Sequence, residues 1–253
     1  MTTARDSSSS RVRCVVLVIA SGDKPYYLEH RRTWRRFMNA SEDVKAYFVE
    51  AKDAGEVQWD DPGNRIVVPC PGGERFDMIF AKTALAMAAV RERFDCDYVV
   101  RTNLSTVWVW DNLIRFLDGK PPMAYVAATP CVTHDGIKFP SGCGMVLSWD
   151  VVDWILEASA HVPHDTASMN DDVYIGWLLK PHPGLRFDSL PRVDVCGKYD
   201  SDAGIDESQL RITTSQWLPM DAIHIRNRLW NERHRETIET ENARVLVSRY
   251  YAR

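Results

Sequence analysis

Two adjacent carboxylates, Asp171 and Asp172, open a segment, Asp171 to Leu179, whose apolar continuation predicts a helix. Carboxylates in a first helical turn sit at the positive end of the macrodipole, which keeps them ionised. Such a group either caps the helix or, within reach of a hydroxyl, removes its proton as a general base. Basic residues gather twice: Arg31, Arg32, Arg35 and Arg36 fall within two turns of one predicted helix, and His224, Arg226 and Arg228 alternate after a strand-like run, with Arg233 and Arg235 close behind. Guanidinium groups bind phosphate oxygens bidentately, so the two clusters could clamp a diphosphate. The first cluster reads equally well as a solvated helix face. Cys131, His134 and Cys143 could begin a zinc site, but no fourth ligand stands at a recognisable spacing.

These residues need a scaffold, and apolar runs alternating with helical patterns predict an α/β protein. Val12 to Ala20 reads as a central strand, Tyr26 to Met38 as an arginine-rich helix, Val44 to Glu50 and Arg65 to Pro69 as strands, and Phe76 to Phe94 as a long helix. Tyr98 to Thr102 follows as a strand and Trp110 to Leu117 as a helix. Ala124 to Thr129 and Gly144 to Ser148 are extended, and Trp149 to Ala158 is helical. Residues 181–219 are expected to be mostly loop with short strands such as Leu185 to Phe187, and Glu232 to Tyr250 closes the chain as a helix. No repeat or linker divides it, so the expected organisation is a disordered tail, 1–10, and one domain, 11–253.

Composition narrows the partners. With 253 residues, 45% of them hydrophobic, and a formal net charge of −4, the chain can bury a sizeable core and has no bulk basic character for nucleic acid. The first apolar run is too short to span a bilayer, so no integral membrane segment is expected. Six cysteines without a CxxC pair read as free thiols of a reducing, cytoplasmic compartment. There is no GxGxxG, no GxxxxGK[ST] and no GxSxG, which argues against dinucleotide oxidoreductases, P-loop enzymes and α/β-hydrolases. Ser21-Gly22-Asp23 is a poor substitute for the glycine-rich loop of a methyltransferase.

Several segments, taken in order, resemble the β-1,3-galactosyltransferase and Fringe family of GT-A glycosyltransferases. Arg31-Arg-Thr-Trp34 resembles that family's RxTW, and Lys82-Thr83 its Lys-Thr pair. The segment from Phe139 to Ser148 is similar to its Tyr-Pro…Gly-x-Gly-Tyr-Val-Leu-Ser, and Asn170 to Gly176 to its Glu-Asp-Val-Tyr-Val-Gly. The resemblance covers residues 12–180 and implies a GT-A-like, Rossmann-like fold: a mixed, mostly parallel sheet flanked by helices. One departure stands out. Where the family places an Asp-x-Asp that holds a divalent cation on the donor diphosphate, this chain reads Asn103-Leu104-Ser105. Hard cations are normally held by at least one carboxylate, so the expectation is metal-independent chemistry with no required cofactor.

The resulting expectation is an inverting transferase that moves a hexose from a nucleotide sugar, most simply a UDP-sugar, to a hydroxyl of a glycan or glycoprotein. Asp172 would be the base, with Asp171 beside it. Ser21, by resemblance, would meet the nucleoside, while Asn103 and Ser105 would bond the ribose or donor sugar. Arg31, Arg101, His224, Arg226 and Arg228 complete the donor contacts. Gly142 and Gly144 read either as a close backbone approach to the donor sugar or as a plain turn. Trp108 and Trp110 read as an acceptor platform or as packing. Cytoplasmic action is expected, in the host cytosol if the chain is virus-encoded. The alternative is a catalytically inactive nucleotide-sugar-binding or carbohydrate-binding protein.

Overall fold

The computed structural model describes residues 11–20, 24–161, 169–195, 207–213 and 218–252. The expected tail 1–10, Ser21 and Cys196 lie outside them. In chain order the first elements are β1 (Val12–Ile19), α1 (Pro25–Trp34), β2 (Val44–Lys52), β3 (Gln58–Asp60), β4 (Arg65–Pro69) and α2 (Ile79–Arg93). Then come β5 (Cys96–Asn103), β6 (Thr106–Trp108), α3 (Trp110–Leu117), β7 (Tyr125–Val132), β8 (Lys138–Ser148), α4 (Trp149–His161) and α5 (Asp171–Leu179). The last are β9 (Arg186–Ser189), β10 (Arg192–Asp194), α6 (Glu207–Leu210), β11 (His224–Arg226), α7 (Glu232–His234) and α8 (Thr240–Tyr251).

Eight strands form one sheet in the order β3-β4-β2-β1-β5-β8-β7-β9. Six run the same way and only β3 and β8 oppose them, so the sheet is mixed and mostly parallel, as expected. β1 lies in the interior of the sheet because its residues are apolar on both faces. Cys14, Val16, Val18 and Ala20 pack with Trp34, Leu113 and Leu246 from α1, α3 and α8. Val15, Leu17 and Ile19 pack on the other face with Phe80, Val152 and Ile175 from α2, α4 and α5. A second sheet, β10-β11-β6, covers the first of these faces near the carboxyl end of β5.

Local chemistry accounts for most boundaries. Pro25 occupies the first turn of α1, where its missing N–H costs nothing, and Arg31 and Arg32 complement the dipole in the last. The expected continuation of α1 to Met38 fails. After Trp34 the chain tightens to i→i+3 bonds, Arg36 to Thr33 and Phe37 to Trp34, which turn Phe37 and Met38 into the core. The closing helix is also not continuous, because a π-helical turn, Arg235–Glu239, separates α7 from α8. β3 and β6, three residues each, are too short to show a period in sequence. No helix among the described residues is long and apolar enough to cross a membrane. Cys14, Cys70, Cys96, Cys131 and Cys143 are free thiols.

Candidate functional site

Open α/β sheets bind ligands beyond the carboxyl ends of their strands. β1 and β5 end side by side, with Ile19 in register with Asn103. The chain then turns through Leu104 and Ser105 into β6, leaving the large sheet for the small one. Asn103 Oδ1 accepts hydrogen bonds from Ser105 Oγ at 3.1 Å and Thr106 Oγ1 at 2.9 Å. Trp34, the tryptophan of the RxTW segment, donates its indole N–H to the Leu104 carbonyl at 3.0 Å, and Asn227 N–H donates to the Ser105 carbonyl at 2.9 Å. The turn is thus clamped from α1 and from the segment after β11. A divalent cation fits it poorly: Asn103 and Ser105 offer only neutral oxygens, and Asn103 Oδ1 already accepts two hydroxyl groups.

The acid pair opens α5, which packs against β8 at this end of the sheet. Arg101, on β5, is 4% exposed and donates to the Gly142 carbonyl and to Asp171. Asp172 instead faces main chain, accepting from Gly142 N–H at Oδ2 and from Val173 N–H at Oδ1, both at 3.0 Å. Burial and then the neighbouring Asp171 charge raise the Asp172 pKa, against the lowering pull of Gly142 N–H and Arg101. The two aspartates therefore divide their tasks. Asp171 neutralises a buried guanidinium, while Asp172 keeps lone pairs for a further proton and is made more basic than an ordinary aspartate.

Arg101, expected as a donor contact, is engaged with Asp171 and the Gly142 carbonyl. Gly142 and Gly144 do allow close approach, but to the protein itself. A Cβ at 142 would meet Arg101 Nη1 at 2.5 Å, and one at 144 would meet the Trp108 ring at 2.7 Å. Trp108 and Trp110 are 0% and 1% exposed, so neither offers a face to a sugar. Their indole N–H groups bond Thr102 Oγ1 and the Phe37 carbonyl, as buried indoles require.

The second basic cluster splits by environment. His224 is fully buried, stacked on Trp108 at 4.8 Å, with neither ring nitrogen hydrogen-bonded. Burial, reinforced by Arg192, pushes its pKa down to about 3, so it is neutral near pH 7 and is not the expected charge sink. Arg226 is partly exposed and 4.0 Å from Asp194. Arg228 lies 5.3 Å over the Trp230 ring, has no hydrogen-bond or ion-pair partner among the described residues, and its Nε is buried. Burial, and then Arg235, lower its pKa, against the raising pull of the Glu239 charge, which stands too far away to pair with it.

The first cluster does not form a clamp. Arg31 pairs with Glu50, Arg32 with Glu29, and Arg35 packs over Phe48 at 6.0 Å. Cys131, His134 and Cys143 form no ligand group either; among the described residues no three His, Cys, Asp or Glu side chains could hold a metal.

Two basic residues gain places at the site that the motifs did not assign. Lys82, 1% exposed, donates from Nζ to the Ala20 carbonyl at 2.6 Å and reaches Glu74 at 3.4 Å, fixing the end of β1; burial lowers its pKa. The Lys82-Thr83 resemblance pointed to it without giving it a role, and it is a lone lysine on the buried, otherwise uncharged face of α2. Arg192, in register with His224, donates to Ser141 Oγ at 2.9 Å and so ties the small sheet to β8. A three-residue strand carries no comparable signal.

No protein-family model matches this chain, and no curated protein matches it. Among solved structures, a glycosyltransferase involved in the glycosylation of the major capsid of PBCV-1 superposes with a TM-score of 0.52, covering 90% of this chain and 98% of that one at 8% identity. Identity that low speaks to architecture rather than chemistry. The chain has the fold of that glycosyltransferase, a GT-A-like mixed α/β sheet flanked by helices.

Proposed function

We propose that the chain is an inverting glycosyltransferase that moves a hexose from a nucleotide sugar, most simply a UDP-sugar, to a hydroxyl of a glycan or glycoprotein without a divalent metal. The observation that carries this reading is Asp172: a carboxylate at the ligand-binding end of the sheet, held by two main-chain N–H groups and raised in basicity. In the proposed step Asp172 takes the proton of the acceptor hydroxyl as its oxygen bonds to the anomeric carbon. The bond from that carbon to the diphosphate oxygen breaks, and the nucleoside diphosphate leaves with the electron pair. Arg226 and Arg228 meet the charge that develops there, and the Asn103 amide nitrogen, which bonds no described residue, is the turn's remaining donor. Action in the cytoplasm is part of the same proposal.

A second reading, a nucleotide-sugar-binding or carbohydrate-binding protein without catalysis, is favoured by the neutral Asn103-Leu104-Ser105 turn. A panel of nucleotide sugars screened first for thermal stabilisation and then for turnover separates the two, because a ligand that binds only the folded state raises the melting temperature. Stabilisation together with release of nucleoside diphosphate supports the transferase. Stabilisation without turnover on any acceptor supports the binding protein, and no stabilisation by any donor overturns both nucleotide-sugar readings.

A further inference from the structure

The most heavily engaged buried carboxylate in the described residues lies outside the acid pair. Glu239 closes the π-helical turn and is 0% exposed. Its Oε1 lies 2.7 Å from His30 Nε2 on α1, and its Oε2 accepts from Leu229 N–H at 2.8 Å and Arg235 Nε at 3.2 Å. Its main-chain carbonyl accepts from Asn227 Nδ2 at 2.7 Å. Asn227 N–H in turn holds the Ser105 carbonyl of the turn after β5. Residues 227 and 229 are therefore both pinned to Glu239, and Arg228 stands between them.

Such an arrangement is costly. A carboxylate is buried with a guanidinium and an imidazole, and the helix departs from its regular ladder over the same residues, Arg235–Glu239. π-Helical turns of this kind occur often at functional sites. Arg235 is occupied, donating to Tyr26 Oη at 3.2 Å and lying 4.0 Å over that ring. Arg228 is the guanidinium left over, and the network's geometric effect is to hold it beside the clamped β5–β6 turn.

We infer that Glu239, oriented by His30, is a positioning residue that presents Arg228 to the diphosphate of the donor. This rests on the assignment of Arg228 to the diphosphate in the proposed function. Position and charge predict opposite signs here. If Glu239 acted only through its field, removing its charge would strengthen anion binding. If it acts by holding residues 227–229, the same change weakens it.

The test is calorimetric titration of the full-length chain with inorganic pyrophosphate in EDTA, a probe that carries the diphosphate without base or sugar. Glu239→Gln is expected to weaken binding about tenfold, the value of one charge-assisted hydrogen bond. His30→Ala is expected to weaken it likewise, whereas His30→Gln, which keeps a side-chain N–H donor, stays within about threefold of wild type, less than half that free energy. If Glu239→Gln does not fold, the two His30 variants carry the test alone. Unchanged or tighter binding in Glu239→Gln, or equal affinities in the two His30 variants, overturns the positioning role while the Arg228 assignment stands. No effect of Arg228→Ala, or no binding by wild type, removes the assignment and the inference with it.

Discussion

The acid and basic walls of the site are built in opposite ways. Asp171 and Asp172 are fixed by neighbours on β5, β8 and α5, and two of the three side-chain anchors are main-chain groups, of Gly142 and Val173. The basic wall depends on side chains that span the chain: His30 to Glu239 is 209 residues apart in sequence, and the Glu239 carboxylate also holds Leu229 N–H and Arg235 Nε. Main-chain anchors survive most substitutions, whereas a side-chain network is only as good as each member. The acid wall should therefore respond to mutation in chemistry, and the basic wall in binding.

Asp172→Asn is expected to have the largest effect. The amide keeps the shape but cannot take the proton, so transfer should fall on the order of 10²- to 10⁴-fold while nucleoside diphosphate affinity and melting temperature hold. Steady-state rates with calorimetric titration check this, and activity within a few-fold of wild type would remove Asp172 from the mechanism. Asp171→Asn should break a different property. It leaves the buried Arg101 uncompensated, a loss of about 3–5 kcal/mol in stability, with transfer per folded molecule falling less than in Asp172→Asn. Denaturant midpoints decide, and a reversed ranking would exchange the two roles.

The same contrast explains what could be read in advance. β1, the α3 and α5 boundaries and the Asp172 neighbourhood were legible because each rests on local signals: an apolar run, an amphipathic period, two carboxylates at a helix start. The resemblance to RxTW pointed to Trp34, whose indole holds the β5–β6 turn. The environments of Trp108, Trp110 and His224 were not legible, because residue type suggests chemistry while burial decides it. A strand position facing the core turns a sugar-stacking tryptophan into packing, and a histidine into a neutral ring. Glu239 and His30 carried no sequence signal, since nothing local joins two residues so far apart.

Arg228→Ala tests the basic wall directly. Losing one charge-assisted contact should weaken nucleoside diphosphate binding roughly tenfold to a hundredfold, corresponding to about 1.5–3 kcal/mol, and leave the free nucleoside unaffected. Equal losses for both ligands would make the cluster structural.

His224 gives a smaller effect, with a sign fixed by linkage. Its pKa is near 6.5 unfolded and about 3 folded, so between those values the unfolded chain binds a proton that the folded chain refuses. Its contribution is undiminished above pH 6.5 and stability falls as the pH drops through the window, by about 2 kcal/mol between pH 7 and 5. Comparing urea midpoints at those two pH values, His224→Phe should show a shallower loss than wild type. Equal slopes would mean that the ring finds a partner for its proton.

The smallest expected effect is the one that separates the two walls most cleanly, because it is none. A nucleoside diphosphate leaving group carries about two to three negative charges, which a divalent cation on carboxylates normally offsets. Here the turn that would hold the cation ends in Asn103 and Ser105, whose oxygens are neutral and turned toward each other and Thr106. Asp171, the nearest alternative ligand in the acid pair, is committed to Arg101. On the proposed reading the charge is met from the basic wall, where Arg228 makes no ion pair or hydrogen bond among the described residues. Transfer in excess EDTA should match transfer in Mn²⁺, in wild type and in Asp171→Asn alike. If chelation stops turnover and Mn²⁺ restores it, the diphosphate is neutralised from the acid wall, and the division of labour between the walls is reversed.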